Sequence, residues 1–190
     1  ALIRWNHSEK GVISPLDFLP LVEGTELEFK IGNWVICEAL KQLDECKMQG
    51  HECEFSVNIS SRHLQTPSFI SQLEQSLALH PEIDSNNFQL EILESSALGD
   101  LQSISSIIKA CSDTLGVTIA LDDFGTGYSS LTHLRNLPVK TIKIDQSFVR
   151  DMLDDPNDFA IIDGVIGLAT AFNRELIAEG VETTQQGLML

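Results

Sequence analysis

The chain is poor in cations. Its 190 residues carry 12 Lys and Arg against 28 Asp and Glu, a formal net charge of −16. That balance lacks the cationic footprint needed for sequence-independent binding to DNA, RNA or an anionic membrane. A small phosphorylated ligand stays open, because metal ions bridge carboxylates to phosphate. Cysteine is scarce and unpatterned: Cys37, Cys46, Cys53 and Cys111 form no C-x-x-C, so neither a zinc nor a redox motif is supported. They read as free thiols in a reducing cytoplasm, with Cys37 and Cys46 buried on a helix. The five histidines (His7, His51, His63, His80 and His133) form no H-E-x-x-H or other ligand spacing. No apolar run approaches the ~18 residues that cross a bilayer. No secretory signal is visible, and the first residue is Ala1 rather than Met, so the natural start reads as missing. No Gly/Ser/Pro-rich linker divides the chain, so residues 1–190 read as one domain.

What is present is alternation. Short β-branched or apolar runs at Glu54–Ile59, Phe88–Leu93, Val117–Asp122, Val139–Ile144 and Glu175–Ala178 read as buried strands, with a strand end at Leu2–Arg4. Helical patterning lies between them. Ser14–Val22 has Pro15 in its first turn. Ile31 to Cys46 repeats apolar residues at helical spacing and stops at Gly50. Ser68–Leu79 ends at Pro81, Leu101–Leu115 is closed by Gly116, and Ser129–Leu137 stops at Pro138. Asp158–Phe172 is apolar on most faces and reads as well buried, and a last helix begins near Thr183. Strands alternating with helices predict an α/β fold with a mostly parallel sheet, either doubly wound or closed into a (β/α) barrel. A closed eight-stranded barrel takes about 250 residues, so a barrel here would be incomplete at both chain ends.

Each strand run ends in a polar residue: Asn58, Glu91, the pair Asp122 and Asp123, Lys143 and Glu179. Parallel strands put their carboxyl ends on one face, so one amide, four carboxylates and one ammonium converge there. Crowded carboxylates repel and pay desolvation unless cations sit between them. Oxygen donors without Cys or His suit Mg²⁺, Mn²⁺ or Ca²⁺. Adjacent Asp122 and Asp123 could support two ions, which activate water and stabilise the leaving oxygen of a phosphodiester, while Lys143 positions or polarises the attacking water. Taken singly, Asn58 and Glu91 fit helix capping, Glu94 fits a first-turn helix acid, and Lys143 with Asp145 fits an ordinary ion pair. The following Gly125-Thr126-Gly127 lacks the third glycine of a dinucleotide fingerprint and reads as a mobile loop.

These residues resemble the EAL-domain family of cyclic di-GMP phosphodiesterases. The resemblance rests on A-L-I-R-W at Ala1–Trp5, I-S-P-L-D-F-L-P-L at Ile13–Leu21, S-V-N-I-S at Ser56–Ser60, L-E-I-L-E-S at Leu90–Ser95, L-D-D-F-G-T-G-Y-S-S-L at Leu121–Leu131, K-I-D-Q-S-F-V-R-D at Lys143–Asp151 and A-E-G-V-E-T at Ala178–Thr183. It implies a (β/α)8 TIM-like barrel, incomplete at both ends, binding two divalent cations (Mg²⁺ or Mn²⁺) and cyclic di-GMP. It implies Asn58, Glu91 and Asp122 as ligands of one ion and Asp122, Asp123 and Glu179 for the other. Lys143 would hold the catalytic water, Glu179 would be catalytic beside it as well as a ligand, and Arg4 would contact a substrate phosphate. Glu94 would anchor the Asp123–Ser130 loop, with Glu182 a support near the second ion. The reaction implied is hydrolysis to linear 5′-pGpG. The implied setting is a cytoplasmic homodimer, fused to sensory or GGDEF-type domains in a full-length protein that can be membrane-anchored. The family's naming glutamate would precede Ala1 and its closing glutamine would follow Leu190. A cyclic di-GMP receptor without catalysis is the alternative the resemblance leaves open, and a ligand-free dimerisation domain is a third.

Overall fold

Five parallel strands stand side by side in the order in which the chain makes them. They are β3 (Phe55–Asn58), β4 (Phe88–Leu93), β5 (Thr118–Phe124), β6 (Thr141–Ile144) and β7 (Glu175–Ala178). The structure is a computed structural model that describes residues 1–98, 100–127 and 131–190. Because the order never reverses, crossovers of one hand place every connecting helix on the same side of the sheet. A doubly wound sheet needs a reversal, so this is the strand order of a (β/α) barrel. Ahead of the sheet, β1 (Trp5–His7) and β2 (Gly11–Ile13) form an antiparallel hairpin, with Trp5 opposite Ile13.

The connecting segments explain themselves locally. Helix α1 (Pro15–Val22) opens on a proline, whose missing N–H costs nothing in a first turn. Helix α2 (Glu26–Met48) is capped by Thr25, whose hydroxyl accepts from the Leu27 N–H. After β3 come the single turn α3 (Ser61–Leu64), capped by Ser60, and α4 (Phe69–Ala78). Helix α5 (Leu101–Leu115) ends at Gly116 in the left-handed conformation. Then come α6 (Leu131–Asn136), α7 (Gln146–Asp151) capped by Asp145, α8 (Pro156–Ala171) capped by Asp155, and α9 (Thr184–Met189).

Alternation along the strands assigns the two faces. Val57, Phe88, Leu90, Ile92, Ile119, Leu121, Ile142 and Ile144 point one way and are buried in one core with Leu40 and Leu43 of α2, Leu73 of α4, Ile104 and Ile108 of α5, and Ile162 and Val165 of α8. Burying one such side chain contributes about 1.5–3 kcal/mol. The opposite face carries the polar residues Asn58, Gln89, Glu91, Thr118, Asp122, Thr141, Lys143 and Glu175, with Leu93, Ala120 and Ile177 among them. Near the amino ends of the strands, Gln89 Nε2 donates to Thr118 Oγ1 (3.2 Å) and Thr141 Oγ1 (3.1 Å), and the Thr141 hydroxyl donates to Glu175 Oε2 (3.4 Å).

Several expectations are corrected. Leu2–Arg4 is not a strand: Leu2 is exposed, and the Ala1 amino group donates to the Ser56 carbonyl without a ladder following. The local strand is the Trp5–His7 hairpin arm instead. Helix α8 buries only the Ile162, Val165 and Ala169 stripe, because the sheet covers one side of it. Cys37 is exposed and Cys46 half-buried, since the buried stripe of α2 runs through Ile36, Ala39, Leu40 and Leu43; the buried thiol is Cys111. The predicted helix start at Ser129 and the end of the Asp123–Ser130 loop fall on residues 128–130, outside the described residues. No described helix is long and apolar enough to cross a membrane.

Candidate active site

Lys143 is the hub of the polar face. From the middle of β6, its Nζ lies 2.9 Å from Glu91 Oε1 on β4, 2.9 Å from Asp122 Oδ1 on β5 and 2.5 Å from Glu179 Oε1 just past β7. The Lys143, Glu91 and Asp122 side chains are 10%, 7% and 10% exposed and Glu179 31%, so the cluster is shielded on the sheet side and open toward Glu179. Burial by itself would lower the Lys143 pKa, but its contacts with Glu179, Asp122 and Glu91 override that and raise it above the ordinary lysine value. The raised value keeps Lys143 an ammonium at neutral pH, a donor to these three carboxylates. Among the described contacts Lys143 does not pair with Asp145. Asp145 caps α7 by accepting from the Ser147 N–H at 2.9 Å, and its carboxylate meets Asp123.

Asp122 and Asp123 share the site through a backbone irregularity. Residues i and i+1 of a regular strand point to opposite faces. Here the register between β5 and β6 shifts between Leu121 and Phe124, and Asp123 has φ +53°. The result is that oxygens of Asp122, Asp123 and Glu179 all lie within 4.8 Å of one another. Burial, reinforced by the neighbouring charges of Asp122, Asp145 and Glu179, pushes the Asp123 carboxyl up to about 6. A neighbouring carbonyl joins this strand end to the next: the Glu94 N–H donates to Asp122 O at 3.0 Å.

The donor set fits a divalent cation. All its atoms are hard oxygens. Four carboxylates (Glu91, Asp122, Asp123 and Glu179) face one ammonium, so the cluster carries an excess of negative charge. Asp122 Oδ1 is buried and within charge-pairing distance of Lys143, yet it receives no well-directed hydrogen bond, which leaves a lone pair free to ligate. The three-carboxylate group Asp122, Asp123 and Glu179 could thus hold a metal ion.

The remaining predicted residues are placed as follows. Asn58 is exposed at the end of β3, in register with Glu91. Glu94 is 2% exposed, and its Oε2 accepts from the Gly125 N–H (2.9 Å) and the Gly127 N–H (3.2 Å). Gly125 has φ +103°, and a side chain there would strike Phe148, so the loop needs glycine at that point. Arg4 is exposed and donates to the Ile3 carbonyl at 2.8 Å. Glu182 is exposed between β7 and α9, its N–H donating to Gln186 Oε1 at 2.9 Å. Among the described contacts, neither Arg4 nor the Glu182 carboxylate touches the Lys143 cluster. Sequence reasoning missed Asp145 as a partner of Asp123, although the K-I-D run carries it. It also missed buried Gln186, visible as the third residue after the cap Thr183 in a capping-box pattern, and the Gln89–Thr118–Thr141 layer, visible as polar residues at inward positions of apolar strands.

These features define an α/β-barrel protein with a carboxylate–lysine centre at the carboxyl ends of its strands. More narrowly, the chain belongs to the EAL domain family, whose profile matches residues 1–190. It is 38% identical over 183 residues to the cyclic di-GMP phosphodiesterase PA2567 of Pseudomonas aeruginosa, covering 96% of this chain and 31% of that protein. It is 37% identical over 187 residues to the bifunctional diguanylate cyclase/cyclic di-GMP phosphodiesterase MucR of the same organism, covering 98% of this chain and 27% of MucR. The chain thus spans about a third or less of the length of these curated relatives. Among solved structures, the PaMucR phosphodiesterase in complex with c-di-GMP superposes with a TM-score of 0.93 at 37% identity, covering 100% of this chain and 76% of that one.

Proposed function

We propose that this chain hydrolyses cyclic di-GMP to linear 5′-pGpG with two divalent cations, Mg²⁺ or Mn²⁺. The observation that carries the reading is the convergence of Glu91, Asp122 and Glu179 on Lys143, with Asp123 turned into the same pocket. The EAL membership and the cyclic di-GMP names of its relatives supply the substrate. Asn58, Glu91 and Asp122 would hold one cation, and Asp122, Asp123 and Glu179 the other. Bound cations supply Lewis acidity to the phosphodiester and to water. The chain's own residues do the rest. Lys143, a permanent ammonium, donates to the attacking water and orients its lone pair at phosphorus. Arg4 contacts a substrate phosphate. Glu94 pins the loop after β5 through two backbone N–H groups, and Glu182 backs the Glu179 end. Water adds to phosphorus, the ribose oxygen leaves with the bonding pair, and one proton passes to it.

The same reading includes a homodimer contact on the face carrying α6, supported by Leu131 standing 61% exposed there, and fusion to a cyclase or sensory domain, supported by the two activities in MucR's name. The deciding experiment compares wild type with Asp122→Asn in the presence of Mn²⁺, following cyclic di-GMP and pGpG by chromatography. Turnover in wild type, lost at least 100-fold in the variant, is the expected result. Ligand binding by wild type without turnover would instead establish the receptor.

A further inference from the structure

Gln186 is a polar side chain placed where apolar ones belong. It sits in the first turn of α9, 5% exposed. Its Oε1 accepts from two backbone N–H groups, Glu182 at 2.9 Å and Thr183 at 2.9 Å, and its Nε2 donates to the Val149 carbonyl on α7 at 3.2 Å. Its own N–H donates to Thr183 Oγ1 at 3.1 Å. Part of this is an ordinary capping box, in which a Gln three residues into a helix returns a bond to the cap residue. The rest exceeds capping. The additional bond to Glu182 and the bond across to Val149 tie the turn that follows β7 onto the neighbouring helix.

Both tied elements lead into the candidate site. Glu179 begins the turn, and next to it Gly180 (φ +69°) packs so closely on Gln146 that a side chain there would approach Gln146 Cβ to 2.8 Å. At the amino end of α7, Asp145 meets Asp123. One side chain therefore fixes the Glu179 turn against the helix that backs Asp123, and those two carboxylates share the metal-sized group with Asp122.

We infer that Gln186 is a positioning residue that sets the Glu179 turn against α7 and thereby tunes the affinity of the carboxylate pocket for divalent cations. The inference rests on the metal-dependent reading above. Groups that orient ligating carboxylates change metal affinity by about 10–100-fold when removed. The test measures Mn²⁺ binding directly, by the electron paramagnetic resonance of free Mn²⁺, and separately the Mn²⁺ dependence of turnover. Gln186→Met removes all three side-chain bonds at similar volume. It should weaken Mn²⁺ binding about tenfold, with kcat at saturating Mn²⁺ within roughly threefold of wild type. A purely structural role would lower the melting temperature in chelator and leave the Mn²⁺ affinity of the folded protein unchanged, and that result would overturn the inference. Should Gln186→Met not fold, the milder Gln186→Asn shortens the side chain by one methylene, so that it cannot reach the Glu182 and Thr183 N–H groups and the Val149 carbonyl at once. It should weaken Mn²⁺ binding in the same direction, and unchanged affinity would overturn the inference equally. Wild type that fails to bind Mn²⁺ would bring down the metal-dependent reading together with this one, whereas wild-type binding that both variants preserve removes the positioning role alone.

Discussion

Replacing Lys143 by Met removes one charge and leaves its three carboxylate partners, with Asp123 beside them, facing each other. The Met side chain fills most of the lysine's volume, so packing changes little and the electrostatics dominate. Deleting one partner of a well-buried ion pair costs about 3–5 kcal/mol. Glu91 and Asp122 are close to that limit, but Glu179 is 31% exposed and partly screened. A discounted estimate is about 2–3 kcal/mol in the absence of metal. For a domain of this size that lowers the melting temperature by roughly 5–10 °C. Added Mn²⁺ supplies the missing charge to the same oxygens, so the deficit should shrink as the pocket fills. Turnover should behave differently. If the ammonium orients the attacking water, kcat at saturating Mn²⁺ should remain down by about 100-fold or more, with KM for cyclic di-GMP little changed. Melting curves in chelator and in Mn²⁺, alongside steady-state kinetics across a Mn²⁺ titration, read both effects on the intact protein. Full recovery of rate at saturating Mn²⁺ would refute the chemical role and leave Lys143 a counter-ion. No loss of melting temperature in chelator would refute the counter-ion role.

Two further outcomes follow from other contacts. Glu94→Ala leaves the Gly125 and Gly127 N–H groups without their carboxylate. Limited proteolysis should then cut near Gly125–Gly127 and turnover should fall at least tenfold, while Glu94→Gln, which keeps an acceptor oxygen, should retain more of both; equal behaviour of the two variants would contradict the anchoring role. His63 is 1% exposed between Phe29 and Phe69, with Nε2 bonded to Asn33 Oδ1 at 3.1 Å and Nδ1 unpartnered. Burial holds its pKa below the usual histidine value, against the pull of Glu28. A base whose folded pKa is lowered contributes stability that is complete above the unfolded value, near pH 6.5, and is lost as pH falls through it toward the folded value. The drop in melting temperature between about pH 7.5 and pH 5.5 should therefore be smaller in His63→Phe than in wild type, and an equal drop would show that His63 does not carry it.

Much of this architecture was legible because the sequence repeats one physical pattern. Runs such as Phe88–Leu93 alternate a core-facing Phe88, Leu90 and Ile92 with an inward Gln89 and Glu91, and that alternation locates both the strand and its polar end without any contact being known. Boundaries with chemical punctuation, such as Gly116 after α5, were legible too. The hairpin Trp5–His7 with Gly11–Ile13 was not. Its arms are three residues long and mostly exposed, so no periodicity develops, and the pairing is made by a turn rather than by a pattern. Helix α3 is one turn whose stop and start lie within the resolution of any propensity argument.

The sequence places Asp122 and Asp123 together at one strand end but leaves unspecified how both reach one pocket. Strand ends deliver residues to a face, and period two then decides which of them look inward. By that rule Asp122 and Asp123 belong to opposite faces, and a site that uses both is inconsistent with a regular β5. The structure resolves the conflict with one irregularity, the register shift before Phe124 and the positive φ at Asp123. A non-glycine residue in that region costs about 1–3 kcal/mol, which the surrounding structure must offset. The same turn part-buries Asp123 beside Asp122, Asp145 and Glu179, and burial first, then those charges, push its carboxyl up to about 6. Strain and charge crowding thus fall on one residue. The charge crowding would be relieved by a cation between Asp122, Asp123 and Glu179, because ligation favours the ionised form that burial and neighbouring charge disfavour. The adjacent acids are a motif in the sequence, but they become a site only through a bend that no side-chain pattern encodes.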